Sequence, residues 1–250
     1  MIPSFQRGVT EGALSLSGMP PKKKKKEVNP DDPGFKAMKA FKKAYEAANL
    51  SLGVEPLALN LDPGEGQTCI ARLVITPMIR TTPSGAHDCT PAHLKALAAA
   101  LADYPFLRKL AIWTVGVRGE GLPALTSYIA ANRTLRVLEL SDCSLTPLAC
   151  KLLGEALQVV GPVPKDLTML KLDHNPGIGN AGAEALTGGG IKLPLKDVNL
   201  AYCGLSGAEG GAALANGLMR QPGLTALDLR GNRLEAAGTL ATLEVSRVGG

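Results

Sequence analysis

Aromatic side chains are scarce in this sequence of 250 residues: Phe, Trp and Tyr together make up 4%, and there is a single Trp. Aromatic residues carry much of the energetics of large globular cores, so their scarcity argues against one broad central core. Long apolar runs are also missing. No segment approaches the roughly 18 consecutive apolar residues of a membrane-spanning helix, and the amino-terminal residues contain no apolar run typical of a secretory signal.

Sequence patterns of catalysis are missing as well. The Gly-rich segments GEGQT (64–68) and VGVRGEG (115–121) lack the Gly-Lys-Ser/Thr ending of a phosphate-binding loop and the spacing of a dinucleotide fingerprint. No Ser/His/Asp grouping can be identified. We therefore expect a protein that is not an enzyme and that has no cofactor and no small-molecule substrate.

One short segment carries residue types that bind metals. His87, Asp88, Cys89 and His93 lie close together, but their spacing matches no standard zinc pattern. Thr90 suits a helix N-cap, and a proline follows it. We therefore expect a surface loop that leads into a helix, with no metal.

The positive charge is local. The whole chain carries a formal charge of +5, but Lys22 to Lys43 alone contains nine basic and three acidic residues. A mild overall charge does not imply a nucleic-acid partner. The five cysteines are an odd number, which argues against a disulfide framework. We expect reduced thiols in a cytosolic type of compartment.

Leucines recur at a fixed spacing along the second half of the chain. The segment LTALDLRGNRL begins at Leu224, and related segments begin at Leu195, Leu167, Leu135 and, more weakly, Leu107. Successive starts are 28, 32, 28 and 29 residues apart. A degenerate copy begins near residue 69. A period in this range is the mark of a repeat architecture.

The pattern L-x-x-L-x-L-x-x-N/C-x-L resembles the leucine-rich repeat, and the resemblance covers about residues 69–248. The period near 28 and the segment GIGNAGAEAL (177–186) are similar to the ribonuclease-inhibitor-like subfamily. The resemblance implies an α/β fold: a curved solenoid of about six repeats, with parallel strands on the concave face and helices on the convex face.

Asparagine and cysteine occupy one slot of the repeat in turn: Cys143, Asn175, Cys203 and Asn232. The sharp turn after each strand leaves buried backbone groups that need hydrogen-bond partners. An Asn side chain both donates and accepts, so it can connect the backbones of neighbouring repeats. Cys is small and only a weak donor, so we expect it to fill the slot with weaker bonding.

Three regions follow from these patterns. Residues 1–34 form a basic, largely irregular arm, residues 35–66 a capping helix and turn, and residues 67–250 the solenoid. Phe35, Met38, Phe41 and Tyr45 make an apolar stripe on a helix predicted at 33–48. This stripe suits capping of the first repeat better than binding to a membrane surface. A short strand and a turn are predicted within 56–66, and the helical halves of the repeats at 91–103, 121–131, 146–159, 180–187, 206–219 and 236–247.

The arm contains five consecutive lysines: Lys22, Lys23, Lys24, Lys25 and Lys26. Such a run is a solvated tail, a nuclear import signal, or an electrostatic contact with an acidic polymer such as the acidic tails of tubulin. Few aromatic residues accompany the lysines, which argues against nucleic acid. The Met that precedes PPKKKKK is a second candidate start beside Met1.

Residues between the strand leucines are expected to line the concave face. Interface anchors are enriched in Trp, Tyr and Arg, so Trp113 is the first candidate for partner binding, and packing against Tyr128 or the arm is the alternative. The candidate binding residues are Lys109, Trp113, Glu139, Lys171, Asp173, Asn199, Tyr202, Asp228 and Arg230.

These observations predict a protein-interaction scaffold. Small proteins of this family with basic MPPKKK-type starts resemble axonemal subunits. The resemblance implies a structural subunit of a cytoskeletal assembly in the cytoplasm, foremost the ciliary axoneme. The lysine run leaves a nuclear location open. The alternative function is regulation of a small GTPase, similar to the GTPase-activating protein for Ran, although the acidic tail of those proteins is absent. A third interpretation is an immune or ubiquitin-ligase sensor, but no F-box and no nucleotide-binding domain accompanies the repeats.

Overall fold

Strands and helices alternate along the part of the chain that the computed structural model describes. This part comprises residues 29–64, 67–77, 89–158, 166–187, 195–218, 223–236 and 238–239. The helices are α1 (Pro33–Ser51), α2 (Pro91–Leu101), α3 (Gly121–Ala131), α4 (Pro147–Leu157), α5 (Gly179–Thr187) and α6 (Gly207–Leu218). The strands are β1 (Arg72–Ile75), β2 (Lys109–Trp113), β3 (Val137–Ser141), β4 (Met169–Lys171), β5 (Asp197–Asn199) and β6 (Ala226–Asp228).

The six strands form one parallel sheet in chain order, from β1 to β6. Equivalent repeat positions are in register throughout, so that Leu110, Leu138 and Leu170 are neighbours on adjacent strands. The spacing between β3 and β4 is four residues longer than that between β2 and β3, yet the register is unchanged. The strand register therefore does not depend on the spacing between the strands. The predicted leucine-rich-repeat solenoid is confirmed.

Alternation along each strand separates two faces of the sheet. The leucines of β3, Leu138 and Leu140, are buried, and the alternate residues Val137, Glu139 and Ser141 are only half-buried. Each helix packs on the helix of the next repeat. The core is thus a stack of thin leucine layers, which explains how the chain folds with few aromatic residues.

Helix starts follow the sequence signals. The Asp32 side chain accepts a hydrogen bond from the backbone N–H of Phe35, and Pro33 begins α1. Thr146 caps α4 in the same way through Ala149, and Pro147 follows it. Proline suits the first helical turn because its missing N–H would have no partner there. The observed helices agree with the predicted ranges within a few residues at each end, although the range 236–247 lies mostly outside the described residues.

The asparagine slot connects neighbouring repeats as predicted. Asn175 Oδ1 accepts from the backbone N–H groups of Cys143 (2.8 Å) and Leu145 (3.1 Å), and its Nδ2 donates to the carbonyls of Leu140 and Leu172 (2.8 Å each). Asn175 is fully buried. These bonds satisfy the backbone of the turn after β3, the strand of the preceding repeat, as well as its own.

Cysteine makes weaker contacts in the same slot. Cys143 Sγ donates to the carbonyl of Ile112 (3.1 Å), and Cys203 Sγ donates to that of Leu172 (3.2 Å). Both carbonyls belong to the preceding repeat. Thiols are weak hydrogen-bond donors, so the bonding through asparagine is the stronger of the two.

Helix α1 covers the first repeat. Met38, Phe41 and Tyr45 are buried, and the Phe41 ring lies 5.4 Å from that of Tyr104, which follows α2. The Tyr104 hydroxyl donates to the Ile70 carbonyl at 2.9 Å, just before β1. Three of the four stripe residues are therefore buried by the solenoid, whereas Phe35 is exposed. In addition, no described helix is long and apolar enough to cross a membrane.

The predicted strand within 56–66 is wrong for the described residues 56–64, which form no strand. Pro56 and Pro63 lack the backbone N–H that a ladder needs. Leu57 N–H donates to the Tyr45 hydroxyl (3.2 Å), and Asn60 and Asp62 accept hydrogen bonds from backbone groups two residues later. Local turns therefore replace strand pairing in this segment.

Candidate functional site

The sheet face opposite the helices is lined by most of the predicted binding residues and is called the concave face below. Its first cluster centres on Glu139 of β3. One carboxylate oxygen accepts from Lys109 Nζ at 2.6 Å, and the other accepts from Trp113 Nε1 at 2.8 Å. Both donors come from β2. The strand pairing of Ala111 with Glu139 places them on either side of that carboxylate.

Shielding from water strengthens this cluster. The side chains of Glu139 and Lys109 are 13% and 25% exposed. An ion pair of this kind is less screened than a fully exposed one. Trp113 makes no ring contact with another aromatic side chain within the described residues; Tyr128 lies in α3, where it lines a groove on the opposite, helical side. The indole is thus held by Glu139 and remains half-exposed.

A second cluster lies where β3 and β4 end. Asp173 Oδ1 accepts from the Ser141 hydroxyl (2.9 Å), and Asp173 Oδ2 lies 3.0 Å from His174 Nδ1. The His174 ring stacks on Tyr202 of the next repeat, with ring centroids 4.7 Å apart. Tyr202 is 51% exposed. Three consecutive repeats therefore contribute to one polar and aromatic surface.

The last strands contribute charged residues that are more exposed. Arg230 forms a bidentate pair with Asp228 (2.7 Å at the shortest), and this guanidinium holds the pKa of the Asp228 carboxyl below its usual range. The more distant Lys171 also lowers that pKa. Asn199 Oδ1 accepts from the Ala201 N–H at 2.9 Å. The concave face thus carries mixed charge along its length.

Left-handed backbone conformation recurs at one edge of this face. Thr114, Asp142, His174, Tyr202 and Gly231 are successive equivalents in the repeat, and all have φ between +52° and +71°. This position directly follows the third outward position of each repeat, which in the last three repeats lies beyond the end of the strand. A side chain on Gly231 would collide with the Tyr202 ring, so glycine there leaves space for the His174–Tyr202 stack.

Tyr202 is among the candidate binding residues predicted from the sequence, but His174 is not. The missed signal is the period itself, because His174 and Tyr202 are 28 residues apart, as the starts of their repeats are. Equivalent positions on adjacent repeats must be neighbours. Two aromatic rings at such positions therefore predict a stack. An open cleft beside it is lined by Asp142, His174, Pro176, Tyr202, Gly204 and Gly231.

No group of side chains suited to a metal is found in the described residues. Of the cluster considered above, His87 and Asp88 lie outside them. His93 has a structural role: its Nδ1 accepts from the Thr90 N–H at 3.1 Å, and its Nε2 lies 2.9 Å from the Glu55 carbonyl. This capping arrangement explains why His93 is buried.

The cysteines are unpaired and held in their neutral form. Burial raises the pKa of Cys89, Cys143, Cys150 and Cys203 to about 12. Reactive cysteines need a lowered pKa, because the thiolate is the nucleophile. These thiols therefore serve packing. The predicted electrostatic arm, Lys22 to Lys26, lies outside the described residues.

Comparison with known proteins adds to this geometry. Residues 131–154 and 164–186 match the family model described as Leucine Rich repeat. No curated protein matches the chain. Among solved structures it is similar to a tropomodulin C-terminal domain from Caenorhabditis elegans, with 12% identity and a TM-score of 0.42, over 82% of this chain and 92% of that one. The matched segments contain β3 and β4, whose strand register the whole sheet repeats.

Proposed function

We propose that this chain is a non-enzymatic scaffold that binds another protein across the concave face. The observation that supports this best is that Trp113, Glu139, Tyr202 and Arg230 stand on one sheet face that no described element covers. Trp, Tyr and Arg are the residue types most enriched among energetically dominant interface residues. The cluster on Glu139 holds its donors in place, which lowers the entropy that a partner contact must overcome.

Site-specific crosslinking tests which face is used. A photo-reactive amino acid replaces Trp113 in one variant and Lys151, an exposed residue of α4 on the helical side, in the other. Partner crosslinks from position 113 are expected, and few from position 151. The same partner captured only from position 151 would contradict the use of the concave face.

We further propose that the partner is a subunit of a cytoskeletal assembly, foremost the ciliary axoneme. The support is the resemblance of the basic MPPKKK-type start to those of axonemal subunits, together with the mixed charge of the concave face. An acidic tubulin surface would attract Lys22 to Lys26. Such contacts between exposed charges are screened over about 8 Å at physiological salt.

Co-sedimentation with microtubules tests the arm. Deletion of residues 19–30 is expected to reduce binding, and binding of the full chain is expected to weaken steeply with salt. Undiminished binding after the deletion would contradict the role of the arm. Regulation of a small GTPase is the competing function, and stimulated GTP hydrolysis by a candidate GTPase would favour it over the scaffold.

A further inference from the structure

We infer that the outward side of α1 is a second interaction surface, which binds an acidic polypeptide segment carrying an apolar side chain near one end. This surface, called the lysine stripe below, consists of Lys36, Lys39, Lys43 and Leu50. It lies on the helix that covers the first repeat and is separate from the concave face. Its failure in an experiment would therefore leave the proposed function untouched.

The two sides of α1 differ completely. Met38, Phe41 and Tyr45 point into the solenoid and are buried, which leaves the opposite side of the helix in water. On that side Lys36, Lys39 and Lys43 follow one another at intervals of three and four residues, so they form one row. The row spans about 10 Å along the helix axis. A helix that only caps the solenoid does not need a row of lysines, because any polar side chains are suited to the side that faces water.

The charge of the row is available to a partner. Lys36 makes an exposed ion pair with Asp31 at 2.8 Å; Lys39 and Lys43 form no ion pair with another described residue, although the exposed Glu46 lies one turn beyond Lys43 on the same side of the helix. The chain from Lys22 to Lys43 carries nine basic and three acidic residues, so the segment that precedes α1 in the sequence has charge of the same sign. Attraction of an acidic partner is the expected consequence.

Leu50 decides between acidic partners. It lies two turns beyond Lys43 on the same side of the helix, and it is 82% exposed, more than the other exposed large apolar side chains of the described residues. The phosphate backbone of a nucleic acid offers no apolar group that would pack on an exposed leucine, and the row contains no aromatic residue for base stacking. Membrane insertion would need the apolar stripe, of which the solenoid already buries Met38, Phe41 and Tyr45. An acidic peptide with an apolar residue uses both the lysines and Leu50.

Fluorescence anisotropy with the full chain tests the inference. The probes are a labelled glutamate-rich peptide of about ten residues, long enough to span the row in extended form, with leucine near one end, and the same peptide with serine instead. A single-stranded oligonucleotide and phosphatidylserine vesicles are the competing ligands. The variant is Lys39→Glu with Lys43→Glu. The matched control is Lys151→Glu with Lys196→Glu, two exposed lysines elsewhere, which changes the net charge equally.

We expect the α1 variant to raise the Kd for the leucine-containing peptide roughly tenfold at low salt, since each exposed ion pair contributes little and the two charges are reversed. The control should leave Kd within about a factor of two. Leu50→Ser should weaken binding of the leucine peptide and leave that of the serine peptide unchanged.

Three results would overturn the inference. The first is equal weakening by the control variant, which would mean that only net charge matters. The second is tighter binding of the oligonucleotide or the vesicles than of the peptide. The third is unchanged peptide binding by the α1 variant, which would leave the arm as the sole contact. Circular dichroism of the variants, with α1 exposed at every substituted position, is expected to match that of the parent chain.

Discussion

The two ends of the solenoid are built in different ways. At the amino-terminal end, α1 and the rings of Phe41 and Tyr104 close the first repeat, and Leu110 and Ile112 of β2 are fully buried. At the other end, Leu227 and Leu229 are only half-buried, although their equivalents in the preceding repeats are buried. In a solenoid each repeat is stabilised by its neighbours alone. Burial of the leucine at a given repeat position therefore depends on the elements that pack beside its repeat.

Removing a ring from the closed end should have the largest effect. Phe41→Ala is expected to cost about 4 kcal/mol of unfolding free energy, because it leaves a cavity under α1. Leu229→Ala at the half-exposed end should cost about 1.5 kcal/mol, since less apolar surface is lost. Urea unfolding followed by circular dichroism measures both. Equal losses at the two ends would show that the last repeat is as well packed as the first.

The asparagine slot gives a second comparison between an inner and an outer repeat. Asn175→Ala leaves buried backbone groups of Cys143, Leu145 and Leu140 without their side-chain partner and is expected to cost about 3 kcal/mol. Asn232→Ala breaks similar bonds to Cys203 and Leu200, but Asn232 is half-exposed, so water replaces part of the loss and about 1 kcal/mol is expected. Hydrogen exchange of the affected amides should show the same order, and the reverse order would contradict the comparison.

Alkaline pH should destabilise the inner repeats. Cys143, Cys150 and Cys203 have pKa values of about 12 in the folded chain, against an ordinary value of 9.0. A raised pKa means that the unfolded chain loses its proton first, so the stabilisation is complete below pH 9.0 and is lost as pH rises towards 12. The expected slope is at most about 1.4 kcal/mol per pH unit for each thiol. Cys150→Ala should reduce that slope; an unchanged slope would assign it to other groups.

The smallest effect is expected from charged residues on the concave face. Glu139→Gln should cost about 1 kcal/mol, since it removes a shielded ion pair with Lys109. It should also change the emission of Trp113, the only tryptophan of the chain. Arg230→Gln, near the other end of the solenoid, should produce no measurable change in stability, because the Arg230 side chain is 82% exposed. A larger loss from Arg230→Gln than from Glu139→Gln would reverse the comparison.

The sequence predicted the fold because each repeat carries its own local signals. The leucine spacing, the Thr–Pro and Asp–Pro helix starts and the asparagine slot all act within one repeat or between neighbours, so one chain suffices to identify them.

The conformation of residues 56–64 could not be predicted in the same way, because its partner, the Tyr45 hydroxyl, comes from a helix whose docking no local pattern reveals. The concave residues could be predicted by alternation, but the contacts of Glu139 with Lys109 and Trp113 depend on side-chain reach across strands. The His174–Tyr202 stack depends on the same register together with the left-handed turn.

The unequal lengths of the repeats have a consequence for recognition. Because the four extra residues between β3 and β4 leave the strand register intact, the outward side chains stand at a constant pitch of about 4.8 Å from strand to strand. The positions of the outward side chains are therefore independent of the number of residues between the strands. A binding partner that fits this spacing would tolerate insertions or deletions between the strands but would not tolerate a single-residue shift within any strand.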